Sequence, residues 1–392
     1  MRSISVARVA LVVAAVLAVT TGCSSSSKST ATPASSPASV TTTTPSNPAP
    51  YAKPGAYAVG YTTLHLAGGR RVVVWYPANP ATTTGHTHET IDIGGLLSPA
   101  LQAKIPASDR VLYPANAYQD APASTTPGRY PLVVFSHGLA GYPEQSVTLT
   151  THLASWGFVV AAPDHVDRSL DGLLGTAATG VPKSTDVAVL QATLDLVEKA
   201  SDGAGVLHGL VDPSRVAAAG HSAGACSAYL LAAADARVKA WISYAVAIGG
   251  KKCPAPPAPK KPGMVMLGTT DGLIPPAASV KVYDGMRSPK YLVQIARAGH
   301  LVFSDICLIG RSKGGVIGIA KAIKLPIPPS LYKLGSDGCT SDHPPAETAF
   351  PAIDDLSVAF FRWALHVDAA PVGIDTAAVA GLGANVTVTH QG

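Results

Sequence analysis

Charge is what this 392-residue sequence has least of. Asp, Glu, Lys and Arg supply 14% of it, against about 25% in ordinary globular domains, while hydrophobic residues supply 47%. A chain so apolar and so weakly charged is not a solvated disordered segment. The 29 Lys and Arg exceed the 24 Asp and Glu by only five, and no basic block stands out, which excludes a nucleic-acid binder. Aromatic residues are few, at 6%. Nothing beyond residue 23 approaches the roughly 18 consecutive apolar residues of a membrane-spanning helix. Gly (37) and Pro (33) are plentiful but follow no collagen period. There is no internal repeat, and no Cys pair has zinc-ligand spacing.

What is present begins with the features of export. Arg2 and Arg8 make a positive start, and residues 9–19 form an apolar run of 11, too short to span a bilayer as a helix. The run ends in Thr20-Thr21-Gly22-Cys23. A small residue before Cys resembles the lipobox of bacterial lipoproteins, with Thr20 standing where that motif usually has Leu. Residues 1–23 are therefore expected to be a lipoprotein-type signal peptide. Cys23 would carry the lipid anchor, attaching the protein to the outer face of the cytoplasmic membrane; without lipidation it would be secreted. In residues 24–50 all but Lys28, Val40 and Asn47 are Ser, Thr, Pro or Ala, a composition that buries no core and makes a tether.

Of five cysteines, Cys226, Cys253, Cys307 and Cys339 remain for the body. An even number in an oxidising compartment suggests two disulfides, for which three connectivities exist. Pairing of sequence neighbours, Cys226–Cys253 and Cys307–Cys339, is the expectation.

The body alternates strand and helix. Residues 72–76 read as a strand, with a hairpin partner at 57–66 across Gly68-Gly69. Residues 77–129 read as irregular surface loop with a short helix near 97–104. Short runs apolar on both faces follow at 132–135, 158–162, 216–219, 241–246, 264–267 and 291–295, as in a buried parallel sheet. Helical patterns lie at 185–199, 223–234 and 353–366, the last with Asp354 and Asp355 placed in its first turn, where the helix dipole favours them. The fold class is α/β: a mostly parallel doubly wound sheet with an antiparallel N-terminal hairpin. A single domain is expected over 51–370, then a polar tail over 371–392.

Gly220-His221-Ser222-Ala223-Gly224 follows a strand and opens an Ala-rich helix, the context in which Gly-x-Ser-x-Gly is a nucleophile elbow. The bland alternative is a Gly-rich turn. A serine nucleophile needs a base, and the base an orienting acid, in the chain order Ser, acid, His. Of the later histidines, His343 is in a Pro-rich loop, His366 near the end of the last helix and His390 in the tail. Only His300 directly follows a strand at the carboxyl edge. Between it and Ser222 stand Asp235, Asp271 and Asp284; Asp235 precedes its strand and Asp284 belongs in a helix, which leaves Asp271. The expected oxyanion donors are the Ala223 amide and the Leu139 amide, in the turn after strand 132–135.

Other candidates are weaker. The segment Pro163-Asp164-His165-Val166-Asp167-Arg168-Ser169 reaches the same sheet edge, either as a hydrogen-bonded loop with an Asp–Arg pair or with His165 lining the pocket; His221 and Tyr142 are further pocket candidates. His86, His88 and Glu89 lack a fourth ligand, so no metal is expected.

Residues 131–139, Asp164-His165 with Asp167-Arg168-Ser169, Gly220-His221-Ser222 and residues 299–305 together resemble the α/β-hydrolase superfamily over 57–367. Within it they are most similar to plasma-type platelet-activating-factor acetylhydrolases and the related dienelactone and polyester hydrolases. The resemblance implies a Ser222–Asp271–His300 triad with the Leu139 and Ala223 amides as oxyanion hole, no cofactor, and short-acyl lipid esters as substrates. A secreted polyester or cutin hydrolase and a non-catalytic binding lipoprotein are the alternatives. The stretch 305–351 is long for such a core and, holding Cys307 and Cys339, is expected to be a disulfide-pinned cap.

Overall fold

The computed structural model describes residues 49–392 except 98, 127, 175–180, 252 and 326–327. The expected signal peptide, its Cys23 and nearly all of the tether lie outside the described residues. In chain order the elements are β1 (Ala58–His65), β2 (Arg71–Ala78), β3 (His88–Asp92), α1 (Pro99–Gln102), β4 (Leu112–Gln119), β5 (Tyr130–Ser136), α2 (Val147–Ser155), β6 (Val159–Pro163), α3 (Leu170–Leu173) and α4 (Asp186–Asp202). There follow β7 (Val211–His221), α5 (Ala223–Ala234), β8 (Val238–Tyr244), β9 (Gly263–Gly268), α6 (Pro276–Gly285), β10 (Lys290–Ile295), α7 (Gly315–Ala322), α8 (Pro329–Leu334), α9 (Phe350–Ala364) and β11 (Val386–Gln391). No helix among the described residues is long and apolar enough to cross a membrane.

Among the described residues the strands form one sheet in the order β11-β10-β9-β8-β7-β5-β6-β2-β1-β4-β3. From β6 to β10 every neighbouring pair is parallel. Both faces of these strands are covered, which is why they read as continuous apolar runs. Side chains alternate between two cores. Val73, Trp75, Val133 and Phe135 pack toward α2 and α9, while Val72, Val74, Leu132 and Val134 pack toward α4 and α5. Because the parallel strands share one direction, the residues that follow them all emerge at one edge.

Three expectations change, and one helix is added. The stretch 77–129 is not only loop: β3 and β4 pair antiparallel within it, and β4 joins β1. The tail is not free, because β11 pairs antiparallel with β10 from Lys290↔Gln391 to Ile295↔Val386. Asp354 and Asp355 sit beyond the first turn of α9 and are buried. Burial pushes the Asp355 carboxyl up to about 7 and Asp354 well above its ordinary value, so the dipole is not what places them. Finally α2, in a Thr-rich sequence of low helix propensity, forms because nearly all of its residues are buried.

Cys226–Cys253 and Cys307–Cys339 are bonded, closing spans of 27 and 32 residues. On the chain-entropy model each contributes about 3.5 kcal/mol by restricting the unfolded chain.

Candidate functional site

β7 delivers Gly220 and His221, and α5 begins at Ala223, so Ser222 occupies the junction. Its backbone has φ 58° and ψ −117°, a strained conformation for a residue with a side chain. Its N–H donates to Tyr244 O at 2.9 Å. A Cβ on Gly220 would lie 2.2 Å from Gly224 O, and one on Gly224 only 1.9 Å from Ser136 O. Both glycines are needed because β5, β7 and α5 meet here with no room for side chains.

His300 follows β10 and Asp271 follows β9. His300 Nδ1 and Asp271 Oδ2 are 2.8 Å apart, and both side chains are buried. Asp271 Oδ1 accepts from the amides of Leu273 and Ile274, each at 2.8 Å. Burial alone would raise the Asp271 carboxyl; His300 and these two amides outweigh it and hold the group below its usual value. The acid therefore stays charged, and the ring presents its other nitrogen, Nε2, which is buried without a partner among the described residues. No Ser222–His300 hydrogen bond is made; such bonds are often long until substrate is bound.

Ser222, His300, Gly138 and Leu139 line one cleft. A Cβ on Gly138 would touch the Ser222 Cβ at 3.4 Å, so the turn carrying the Leu139 amide lies against the serine. The Leu139 and Ala223 N–H groups have no backbone acceptor among the described residues, consistent with donors kept free. The pocket candidates His221 and Tyr142 line the cleft as well.

His165 does not. It is 1% exposed and lies behind the turn. Its Nε2 is 2.8 Å from Ser136 Oγ and its Nδ1 3.1 Å from Asp186 Oδ1. The serine and histidine of this second Ser-His-Asp series are buried, and Arg168 donates to the Ser136 oxygen at 2.8 Å. Burial, reinforced by Arg168, pushes the imidazole down to about 3. The loop is thus the hydrogen-bonded kind, though Arg168 pairs with Asp186, at 2.8 Å, rather than with an aspartate of its own segment. Arg168 also donates to His137 O and, at 2.8 Å, to Gly138 O. It therefore grips the turn that presents Leu139. Asp186 in addition accepts from Ser227 Oγ at 2.7 Å, on the helix that follows Ser222.

Gln145 has no motif to mark it, yet it joins the three loops. Gly138 N–H donates to Gln145 Oε1 at 2.9 Å. Gln145 Nε2 lies 3.0 Å from His221 Nδ1, and His221 Nε2 lies 3.0 Å from His300 O. Both bonds are satisfied by a neutral His221 with its proton on Nε2. Burial, with His300 beside it, pushes His221 down to about 3 and keeps it neutral.

The remaining candidates are structural. Glu89 is buried and accepts from Trp75 Nε1 at 2.8 Å, His86 bonds Gln119 O, and His88 packs on Tyr118. No cluster among the described residues could hold a metal.

The upper walls of the cleft are aliphatic. Ile93, Leu97 and Val111 come from between β3 and β4, and Val316, Ile319, Ile323 and Leu331 from the insertion that carries α7 and α8. With the loops around Ser222 and His300 they line one cleft that opens to solvent.

A solved ferulic acid esterase from Streptomyces cinnamoneus matches over 85% of this chain and 96% of its own, with a TM-score of 0.57 and 23% identity. The fold is that of the α/β-hydrolases. Within the chain, residues 109–174 match the family model described as platelet-activating factor acetylhydrolase, isoform II. That stretch contains the Leu139 turn and Arg168 but not Ser222, Asp271 or His300.

Proposed function

We propose that the protein is a serine carboxylic-ester hydrolase working through an acyl-enzyme. The observation that carries this is the His300–Asp271 pair at 2.8 Å, its imidazole lining one cleft with a serine held in a strained strand-to-helix turn. Ser222 Oγ attacks the acyl carbonyl while His300 Nε2 takes its proton. The Leu139 and Ala223 N–H groups receive the developing oxyanion, each donor typically contributing about 3–4 kcal/mol. Collapse expels the alcohol, protonated by His300. A water, deprotonated by the same nitrogen, then attacks the acyl carbonyl and releases the carboxylic acid and Ser222. Asp271 remains ionised and stabilises the imidazolium.

The aliphatic walls favour an aliphatic ester, and the similarity to the acetylhydrolase family model favours a lipid ester with a short acyl group. A polymer hydrolase is less well supported, because α7 and α8 wall the cleft where a polymer chain would need open ground. The N-terminal sequence supports an exported lipoprotein anchored through Cys23. Mass spectrometry of the mature N-terminus tests that anchor, and an unmodified Cys23 refutes it.

The test of function is hydrolysis of p-nitrophenyl esters from acetyl to palmitoyl by wild type and Ser222→Ala. Turnover that favours short chains and drops by several orders of magnitude in the variant supports the reading. A fully active variant would remove Ser222 from the mechanism.

A further inference from the structure

We propose that Asp337, on the disulfide-pinned insertion, is a positioning residue that clamps the acid loop to the base loop; this rests on the reading of Ser222, His300 and Asp271 given above. Asp337 Oδ1 accepts the backbone N–H of His300 at 2.6 Å. The same carboxylate accepts the N–H of Gly272, the residue after Asp271, at 3.2 Å. Asp337 O accepts the Leu301 N–H at 3.0 Å, and Lys333 Nζ donates to Gly272 O at 3.0 Å. One short segment of the insertion thus holds the backbone on both sides of the His300–Asp271 bond.

Steric fit points the same way. A Cβ on Gly272 would lie 2.5 Å from Asp337 Oδ2, and a Cβ on Gly299 would lie 2.5 Å from the Gly338 Cα. Gly299 meets backbone and leaves no space for a side chain, and a side chain at Gly272 would displace the Asp337 carboxylate. Cys339, two residues beyond Asp337, is bonded to Cys307, seven beyond His300. The disulfide ties the segment back to the chain that leaves the base loop. Asp337 does not line the cleft; it acts through the backbone of the two residues that form the charge pair. The insertion that walls the substrate cleft therefore also sets the orientation of the imidazole.

The test compares Asp337→Ala, Asp337→Asn and Cys307→Ser/Cys339→Ser in the full chain. It measures kcat and KM on a p-nitrophenyl ester, the melting temperature, and the rate of Ser222 labelling by a fluorophosphonate. Asp337→Ala is expected to lower kcat and the labelling rate by about 10- to 100-fold, the scale of a misplaced catalytic group, with KM within about threefold. Asp337→Asn keeps an oxygen acceptor for the His300 N–H and should recover most of that loss. Removing the disulfide should lower kcat in the same direction, and adding Asp337→Ala to it should lower kcat no further, because both act through one segment.

Unchanged kcat in folded Asp337→Ala overturns the proposal. So does a loss confined to KM, which would make the insertion a substrate wall alone. Equal losses in the Ala and Asn variants that follow melting temperature would make Asp337 merely structural. If Asp337→Ala does not fold, disulfide-free protein with wild-type kcat overturns it equally. A fully active Ser222→Ala overturns the underlying site reading instead.

Discussion

Arg168 offers the sharpest test of how the proposed oxyanion turn is held. Its guanidinium donates to His137 O, Gly138 O and Ser136 Oγ, and its Nε to Asp186 Oδ2 at 2.8 Å. Arg168→Met keeps the bulk of the stem and removes every one of these donors. Two carbonyls of the turn that carries Leu139 lose their restraint, and Asp186 loses its cation. Breaking a buried ion pair from one side costs about 3–5 kcal/mol. Asp186 is 31% exposed in its side chain and keeps Ser227, so about 3 kcal/mol, the low end, is expected. Removing an oxyanion donor outright costs about 10²- to 10³-fold in kcat. Here the Leu139 donor is loosened rather than lost, so about 10²-fold is expected.

The two effects separate in a double variant. Adding Asp186→Asn to Arg168→Met removes the uncompensated charge and should restore roughly 1–2 kcal/mol of stability, but none of the kcat. Thermal melting followed by circular dichroism and steady-state turnover of a short-chain p-nitrophenyl ester, below the melting transition of both proteins, read the two quantities. A folded Arg168→Met enzyme with kcat within about threefold of wild type would refute the argument that this side chain holds the oxyanion turn.

Three further outcomes are expected. Gln145→Leu orphans the Gly138 N–H and His221 Nδ1; it should cost about 1–3 kcal/mol of stability and lower kcat roughly tenfold, and undiminished kcat would contradict it. Gly224→Ala forces a Cβ to 1.9 Å from Ser136 O and should destabilise by more than about 3 kcal/mol; a melting temperature within a few degrees of wild type would show that the elbow relaxes. Glu89 is buried and its carboxyl is pushed up to about 8 by burial. A raised folded-state value means its stabilising protonation is complete below about pH 4.5 and is lost as pH rises through 8. Glu89→Gln keeps an acceptor for Trp75 Nε1 and should melt above wild type by a margin that grows between pH 5 and 8; parallel curves for the two proteins would refute this.

Much of the scaffold was legible because it is written locally. A strand buried on both faces must be a short continuous apolar run, so β5 to β10 announce themselves. A strained strand-to-helix turn needs Gly220 and Gly224 around Ser222 at fixed offsets. A parallel sheet puts every strand's C-terminal end at one edge, so chain order alone sorts Asp271 and His300 from the other carboxylates and histidines.

What the sequence by itself left open depends on partners far along the chain. β3, β4 and β11 carry weak patterns and exist through pairing, and α2 exists through burial that outweighs its threonines. His165 stands in the right loop, but its direction is set by Ser136 and Asp186. Arg168 stands in a segment the sequence marks, but its partner Asp186 lies outside it; Gln145 and Asp337 sit in no motif, Gln145 acting through His221, 76 residues away, and Asp337 through His300, 37 residues away. The sequence determined which groups are candidates for the proposed chemistry, because spacing and turn geometry act over a few residues. Only the tertiary structure decided what holds those groups in place, because a hydrogen bond between distant loops has no period and no local signature.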